Sequence, residues 1–339
     1  MTTDTRSYLE AAATCEGQVA PLLEVLQHID VGTIAPLPGS GAGGTAERYR
    51  LLSRAAAADV TAARVLEPHL DALAILAEAG LPQTGEGSTW GVFAAEAPDA
   101  VVVAQPRGSS WILTGVKPWC SLGGRLTDAL VTAHTEAGQR RLFRVDLTQA
   151  SVTAEETPWV SRGLADVASG PLRFENAEAM PVGEPGWYLS RPGFRWGAIG
   201  VAAAWWGGCL PLFDALLARA TREAASPLVV ARVGVIFRAI DGVRILLARA
   251  ADVVDDMSQS DQVDEHGAAV LAHSVRGAAA DGAVATLSAA QDILGPAVFG
   301  FDESLARRAA DLQMYISQYH RGPDDVSLVS HLGETSIRW

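Results

Sequence analysis

Gly115-Val116-Lys117-Pro118-Trp119-Cys120-Ser121 ends a run of strand-forming residues that starts at Trp111. Residues two apart on a strand face the same side, so Trp119 and Ser121 present an indole and a hydroxyl together. A flat apolar ring with a hydrogen-bond donor beside it suits a planar ring ligand such as a flavin. The competing reading is a core tryptophan near a turn, and residue chemistry alone favours that one. Outward from this stretch, apolar runs at 90–95, 101–105, 111–116, 129–133, 142–145 and 172–174 alternate with turn residues. Their length and β-branched content predict strands, and the close turns predict a small sandwich or barrel.

Helical periodicity lies on either side. Residues 7–29 and 45–79 read as helices, separated by a Pro/Gly/Ser-rich loop over 36–44,. A Gly- and Pro-rich linker at 181–192 leads into predicted helices over 194–222, 227–257, 265–294, 303–320 and 324–332, with Gly295-Pro296 as a stop signal,. Long helices with short connections predict a bundle. The fold class is therefore α+β: an N-terminal helical segment (1–87), a β-domain (88–185) and a C-terminal helical bundle (186–339).

With 339 residues, 49% of them hydrophobic, the chain can bury a sizeable core,. Its formal net charge of −13 argues against nucleic acid as the main partner,. Three widely spaced cysteines, Cys15, Cys120 and Cys209, match neither a disulfide framework nor a metal site, and fit a reducing cytoplasm,. The uncharged run from Trp196 to Phe213 reaches the length of a membrane span, but its glycines and Pro211 make a buried bundle helix the expected reading,. Gly39, Gly41 and Gly44 match a dinucleotide-binding spacing by letter, without the preceding strand that the motif needs,. His266 and His273 share a helix face with no third ligand beside them,.

The Trp119 segment resembles the acyl-CoA dehydrogenase family's Gly-x-Lys-x-Trp-Ile-Thr/Ser-Asn-Gly motif, and its surroundings match in order. Residues 92–96 resemble the strand carrying the family's Thr-Glu-Pro, and 142–146 resemble a later strand. Residues 163–169 with 172–175 resemble the Gly-x-Arg-x-Ser and Val-x-Phe-Glu stretch. Val182-Gly183 and Pro185-Gly186 match the linker, Arg191 to Gly200 the start of the bundle, and Asp292-Ile293-Leu294-Gly295 the Gln-x-x-Gly-Gly. The resemblance spans about residues 65 to 330. It implies an FAD-dependent oxidoreductase acting on an acyl thioester or related small acyl substrate, CoA- or carrier-bound.

By position, the resemblance puts Trp119 against the isoalloxazine, Ser121 at its N5 edge, and the backbone of Phe93, Ala94 and Ala95 at its pyrimidine end. Arg191 is placed near the reacting acyl group. Asp292 and Gly295 are placed at the adenine half of a neighbouring subunit's FAD, which implies a homodimer or homotetramer. The departures are as specific. No carboxylate stands in residues 315–322, where the family's catalytic glutamate belongs, and the alternative position is Ser190. The pyrophosphate-gripping Arg-x-x-Phe-Gly is missing around 222–227, the acyl-channel Gly-x-Gly-Ser-Asp is cut out after Glu96, and the N-terminal segment is short.

His320 is the base at the vacant glutamate position, and an imidazole ordinarily titrates near about 6.5, suited to neutral pH. The alternative is a histidine capping a helix C-terminus. Two other functions fit the departures: a flavin monooxygenase on the same scaffold, supplied with reduced flavin by a partner, and a non-catalytic subunit that has lost FAD.

Overall fold

The computed structural model describes residues 3–29, 37–39, 43–82, 87–135, 138–257 and 264–332. Four helices come first: α1 (Thr3–Thr14), α2 (Ala20–Gln27), α3 (Gly44–Ala58) and α4 (Val60–Glu78). The helix expected over 7–29 is thus two, broken where Glu16 and Gly17 take left-handed backbone,. Asp59 separates α3 from α4 in extended conformation. Its carboxylate accepts from the Thr61 N–H at 2.8 Å and from the Gly17 N–H at 3.0 Å, capping α4 and anchoring the α1–α2 turn,. Of the glycine spacing near residue 40, Gly41 lies outside the described residues. Gly39 donates to the Thr45 hydroxyl at the start of α3.

Seven strands follow: β1 (Trp90–Phe93), β2 (Val102–Arg107), β3 (Ser110–Ser121), β4 (Asp128–Thr135), β5 (Arg140–Asp146), β6 (Val152–Ala154) and β7 (Ser169–Val182). β4 pairs in parallel with β1 and β2 along one edge and antiparallel with β5 along the other. Antiparallel β2–β3, β3–β7 and β7–β5 pairings complete a ring, so five strands close into a barrel. Closure leaves these strands without the unpaired edges of an open sheet. β6, three residues with one half-buried valine, has too little pattern to read from sequence and pairs only with β7.

Lys117 ties the barrel internally. Its ammonium is buried and donates to the Thr132 carbonyl at 2.9 Å and hydroxyl at 2.8 Å, joining β3 to β4, which are not neighbours in the sheet. Burial lowers it to about 8,. Gly115, φ 129°, lets the Val101 carbonyl approach the motif strand; a Cβ there would overlap it,.

Six helices end the described chain: α5 (Trp187–Ser190), α6 (Pro192–Ala220), α7 (Pro227–Met257), α8 (Glu265–Phe301), α9 (Glu303–Ile316) and α10 (Arg321–Leu332). α6 and α8 are long and apolar enough to cross a membrane by composition. α6, however, packs against α3, α4, α7, α8 and α9, and Ile199, Trp205, Leu212 and Leu216 are fully buried there. That packing accounts for its uncharged run. Gly295-Pro296 kinks α8 instead of ending it: Gly295 takes φ 73°, and helix resumes to Phe301. α9 ends at Ile316, not at 320 as expected. His320 therefore precedes α10, its carbonyl accepting from the Asp324 N–H at 3.0 Å.

Candidate functional site

A cleft of about 620 Å³ opens between the barrel and the helices. Its walls come from five places: α4 (Arg64), the end of β1 and the following turn (Val92, Ala94–Glu96), the end of β3 (Trp119, Ser121), the loop before β7 (Trp159, Leu164, Val167), and the α9–α10 connection (Ser317, Gln318, His320). Residues separated by more than two hundred positions thus meet in one cavity.

Trp119 reaches the cleft through a bulge. Opposite β7, Lys117 pairs with Leu172 and Cys120 with Gly170, so Pro118 and Trp119 share the space facing one residue,. Trp119 takes φ 58°, left-handed backbone that costs a side-chain-bearing residue about 1–3 kcal/mol,. Its indole is 59% exposed although the surrounding barrel is packed. A large aromatic held outward by strained backbone is unfavourable unless something covers it. The structure removes the core-tryptophan reading.

Ser121 is fixed by its neighbours. Its hydroxyl accepts from Arg64 Nη2 at 2.8 Å and lies 2.8 Å from the Ser169 hydroxyl. Among the described residues, Glu96 is the one carboxylate lining the cleft. It is held by Arg140 Nε at 2.9 Å and His134 Nε2 at 2.9 Å. Arg140 also donates to the Ala94 carbonyl at 2.8 Å, which fixes the 94–96 turn. The loop wall is pinned from α9: Asp311 accepts from the Leu164 N–H at 2.5 Å, and Trp159 Nε1 donates to the Leu164 carbonyl at 3.1 Å. Burial raises the Asp311 carboxyl to about 6.

The expected residues divide into two groups. Trp119, Ser121, Ala94, Ala95 and His320 come together in the cleft. Phe93, of which only the backbone was expected at the ring, has its side chain buried in the core, turned away from Val92 and Ala94 by the alternation of β1,. Arg191 is not in the cleft. Its side chain is 1% exposed, paired with Glu78 at 2.7 Å and Asp71 at 3.7 Å, and it lies over the rings of Tyr188 and Trp187. Arg191 joins α4 to the start of α6 and is in no position to meet an acyl group in the cleft. Asp292 and Gly295 stand on α8, outside the cleft. Asp292 is 57% exposed and pairs with Arg232 at 2.6 Å.

The expectation of a helix-capping histidine fails on geometry. His320 is exposed and stands before the N-terminus of α10, not at a helix C-terminus,. Sequence reasoning missed Arg64, Ser169 and Trp159. Arg64 had a signal: it belongs to a series of charges (Arg64, Glu67, Asp71, Glu78) in an otherwise apolar helix, where a purely structural helix would avoid them,.

The donor set fits a flavin ring. An exposed indole, two hydroxyls, a guanidinium and the turn backbone of Ala94 and Ala95 surround one cavity, as a planar heterocycle with polar edges requires,.

No protein-family model and no curated protein matches the sequence. Solved structures do match. FMN-bound TdsC from Paenibacillus sp. A11-2, a dibenzothiophene monooxygenase, superposes with a TM-score of 0.80 at 14% identity, over 99% of this chain and 96% of that one. Methanesulfinate monooxygenase MsuC from Pseudomonas fluorescens gives 0.77 at 18% identity, covering 100% and 99%. Butyryl-CoA dehydrogenase from Megasphaera elsdenii gives 0.71 at 18% identity, covering 98% of each chain. The ring of strands between two sets of helices, matched over nearly the whole length of these flavoproteins, shows that the chain has the acyl-CoA dehydrogenase fold.

Proposed function

We propose that the chain is a flavin-dependent monooxygenase that uses reduced flavin, FMN in preference to FAD, with His320 as its acid–base residue. One observation carries the reading. His320 shares a cavity with Trp119 and Ser121, and the one carboxylate lining that cavity among the described residues, Glu96, is held by Arg140 and His134. Removal of a proton from an acyl thioester asks for a free base at the reacting carbon and a group to polarise the thioester. With Arg191 buried against Glu78, the acyl dehydrogenase reading loses its polarising residue.

Trp119 would stack on the ring, Ser121 would donate to its edge, and Ala94 and Ala95 would offer backbone groups to its far end. Bound in reduced form, the flavin supplies two electrons and activates dioxygen, so that one oxygen atom enters the substrate and the other leaves as water. His320 holds or moves a proton at its imidazole nitrogen beside this reaction. Trp159, Leu164 and Met314 give the cavity an apolar wall that excludes water,. FMN is favoured because the Arg-x-x-Phe-Gly that grips a pyrophosphate is missing from the sequence, and because a solved protein of this fold is FMN-bound. Leu228, Val235, Phe237 and Ile245 leave apolar side chains exposed on α7, which supports a homodimer or homotetramer,.

The test is direct. Purified protein is titrated with FMN and FAD, then given chemically reduced FMN, oxygen and indole, a molecule found bound in TdsC. Quenched FMN fluorescence and a product heavier by one oxygen atom are expected. Protein that binds neither flavin refutes the proposal and leaves the non-catalytic subunit.

A further inference from the structure

A second cavity, of about 430 Å³, lies among the helices between α3, α4 and α6. Small-molecule sites occupy roughly 300–1,000 Å³. Leu52, Ala74, Trp196 and Met257 give it an apolar wall, and α4 brings Glu67, Asp71 and Glu78 to it. On one side of it α6 comes close to the carboxylates of α4, because two of its residues lack side chains,. A Cβ on Gly197 would meet Asp71 Oδ1 at 2.7 Å, and one on Gly193 would overlap Glu78.

Arg191 answers Asp71 and Glu78. Glu67 has no such answer: among the described residues it makes no hydrogen bond and no ion pair. The cations facing it are Arg64, Arg48 and Arg276, with the buried phenols of Tyr188 and Tyr315 nearby. Arg64 is engaged by Ser121. Arg276 donates to the Ala198 carbonyl at 3.2 Å and lies 4.9 Å over the Trp205 ring, and Arg48, buried on α3, lines the same cavity without a hydrogen bond to Glu67. Burial, reinforced by Asp71, pushes the Glu67 carboxyl up to about 7. A carboxyl left without a partner at an apolar cavity wall is costly, and a cation brought in by a ligand relieves that cost.

We infer that this cavity binds a small apolar molecule carrying a basic amine, whose ammonium pairs with Glu67. The inference rests on the flavin reading only in making that molecule a substrate. α4 carries Arg64 in the wall of the cleft and Glu67 in the wall of this cavity, one turn on, about 4.5 Å along the axis,. The amine is thereby held next to the cleft.

Calorimetric titration with 2-phenylethylamine and with uncharged 2-phenylethanol tests it, on the parent, Glu67→Gln and the cavity-filling Ala74→Phe, with FMN titrated in parallel. The parent is expected to prefer the amine by about tenfold or more, the scale of a hydrogen bond to a charged group. Glu67→Gln loses that preference, Ala74→Phe loses both ligands, and all three keep FMN. A parent that binds the alcohol as well as the amine, or binds neither, overturns the inference, as does a Glu67→Gln protein that keeps the preference. If Glu67→Gln does not fold, unchanged amine binding by Ala74→Phe overturns it equally. Loss of FMN binding with amine binding intact refutes the flavin reading alone.

Discussion

Two cavities share the helix α4, and they are furnished in opposite ways. In the barrel cleft the polar groups at the Trp119 end are already partnered: Ser121 with Arg64 and Ser169, Glu96 with Arg140 and His134, and the Ala94 carbonyl with Arg140. In the helical cavity Glu67 makes no hydrogen bond or ion pair among the described residues, while its neighbours Asp71 and Glu78 are held by Arg191. A site whose polar groups are fixed in advance loses little freedom when it binds and holds one ligand in one orientation, as a cofactor needs. A site with one unanswered group chooses its ligand by the charge that answers it. The difference separates a place that orients from a place that selects.

The largest expected effect belongs to the cleft. His320→Ala is expected to lower oxygen insertion by about 100-fold or more, the scale of a lost general acid or base, while FMN binding is unchanged. Single-turnover kinetics with reduced FMN read both quantities. A mutant that oxygenates at the parental rate would show that the cleft binds flavin without using this imidazole.

Trp119→Ala comes next. Loss of the stacking surface is expected to weaken FMN binding by about tenfold, and fluorescence titration measures it. The left-handed backbone stays strained, because Ala also carries a Cβ, and the side chain removed is exposed, so the melting temperature is expected to hold,. Unaltered FMN affinity would mean that the exposed indole covers something else.

Glu67→Gln sharpens the contrast through pH. The folded-state value, about 7, lies above the ordinary 4.5, so the native protein holds the extra proton between those limits. Stability from this group is complete below about pH 4.5 and is lost as pH rises through 7,. Glu67→Gln is therefore expected to gain about 1–3 kcal/mol on the parent at pH 8 relative to pH 4.5, measured by urea denaturation. His69 is buried and lowered to about 4, so its contribution runs the other way: it is present above about pH 6.5 and lost as pH falls towards 4,. It is common to both proteins and cancels in the difference. No gain at high pH would show that Glu67 is ionised and answered within the fold, and the two cavities would then no longer differ.

The smallest effect is expected at Ser121→Ala, about threefold to tenfold in FMN affinity, the scale of one hydrogen bond. Arg64 and Ser169 remain to offer donors at the same edge. A larger loss would mean that Ser121 organises Arg64 and does more than touch the ring.

Local pattern was enough for the strands that close the barrel and for most of the bundle helices. Strand alternation, helix periodicity and glycine-proline breaks are written within a few residues, and they report the burial of a side chain from its immediate neighbours. Trp119, Ser121, Ala94 and His320 came forward as one set only through the resemblance to the acyl-CoA dehydrogenase family, whose motifs the short stretches match in order. Pattern could not show that the helix before His320 stops at Ile316, or that Arg191 is consumed by Glu78, a residue more than a hundred positions away. Nor could it reveal Glu67. Whether a charged group on a helix meets water, an arginine or an empty cavity depends on what packs across from it. That partner is chosen by the tertiary fold: here Gly193 and Gly197 let α6 approach Glu78 and Asp71, while a cavity opens beside Glu67.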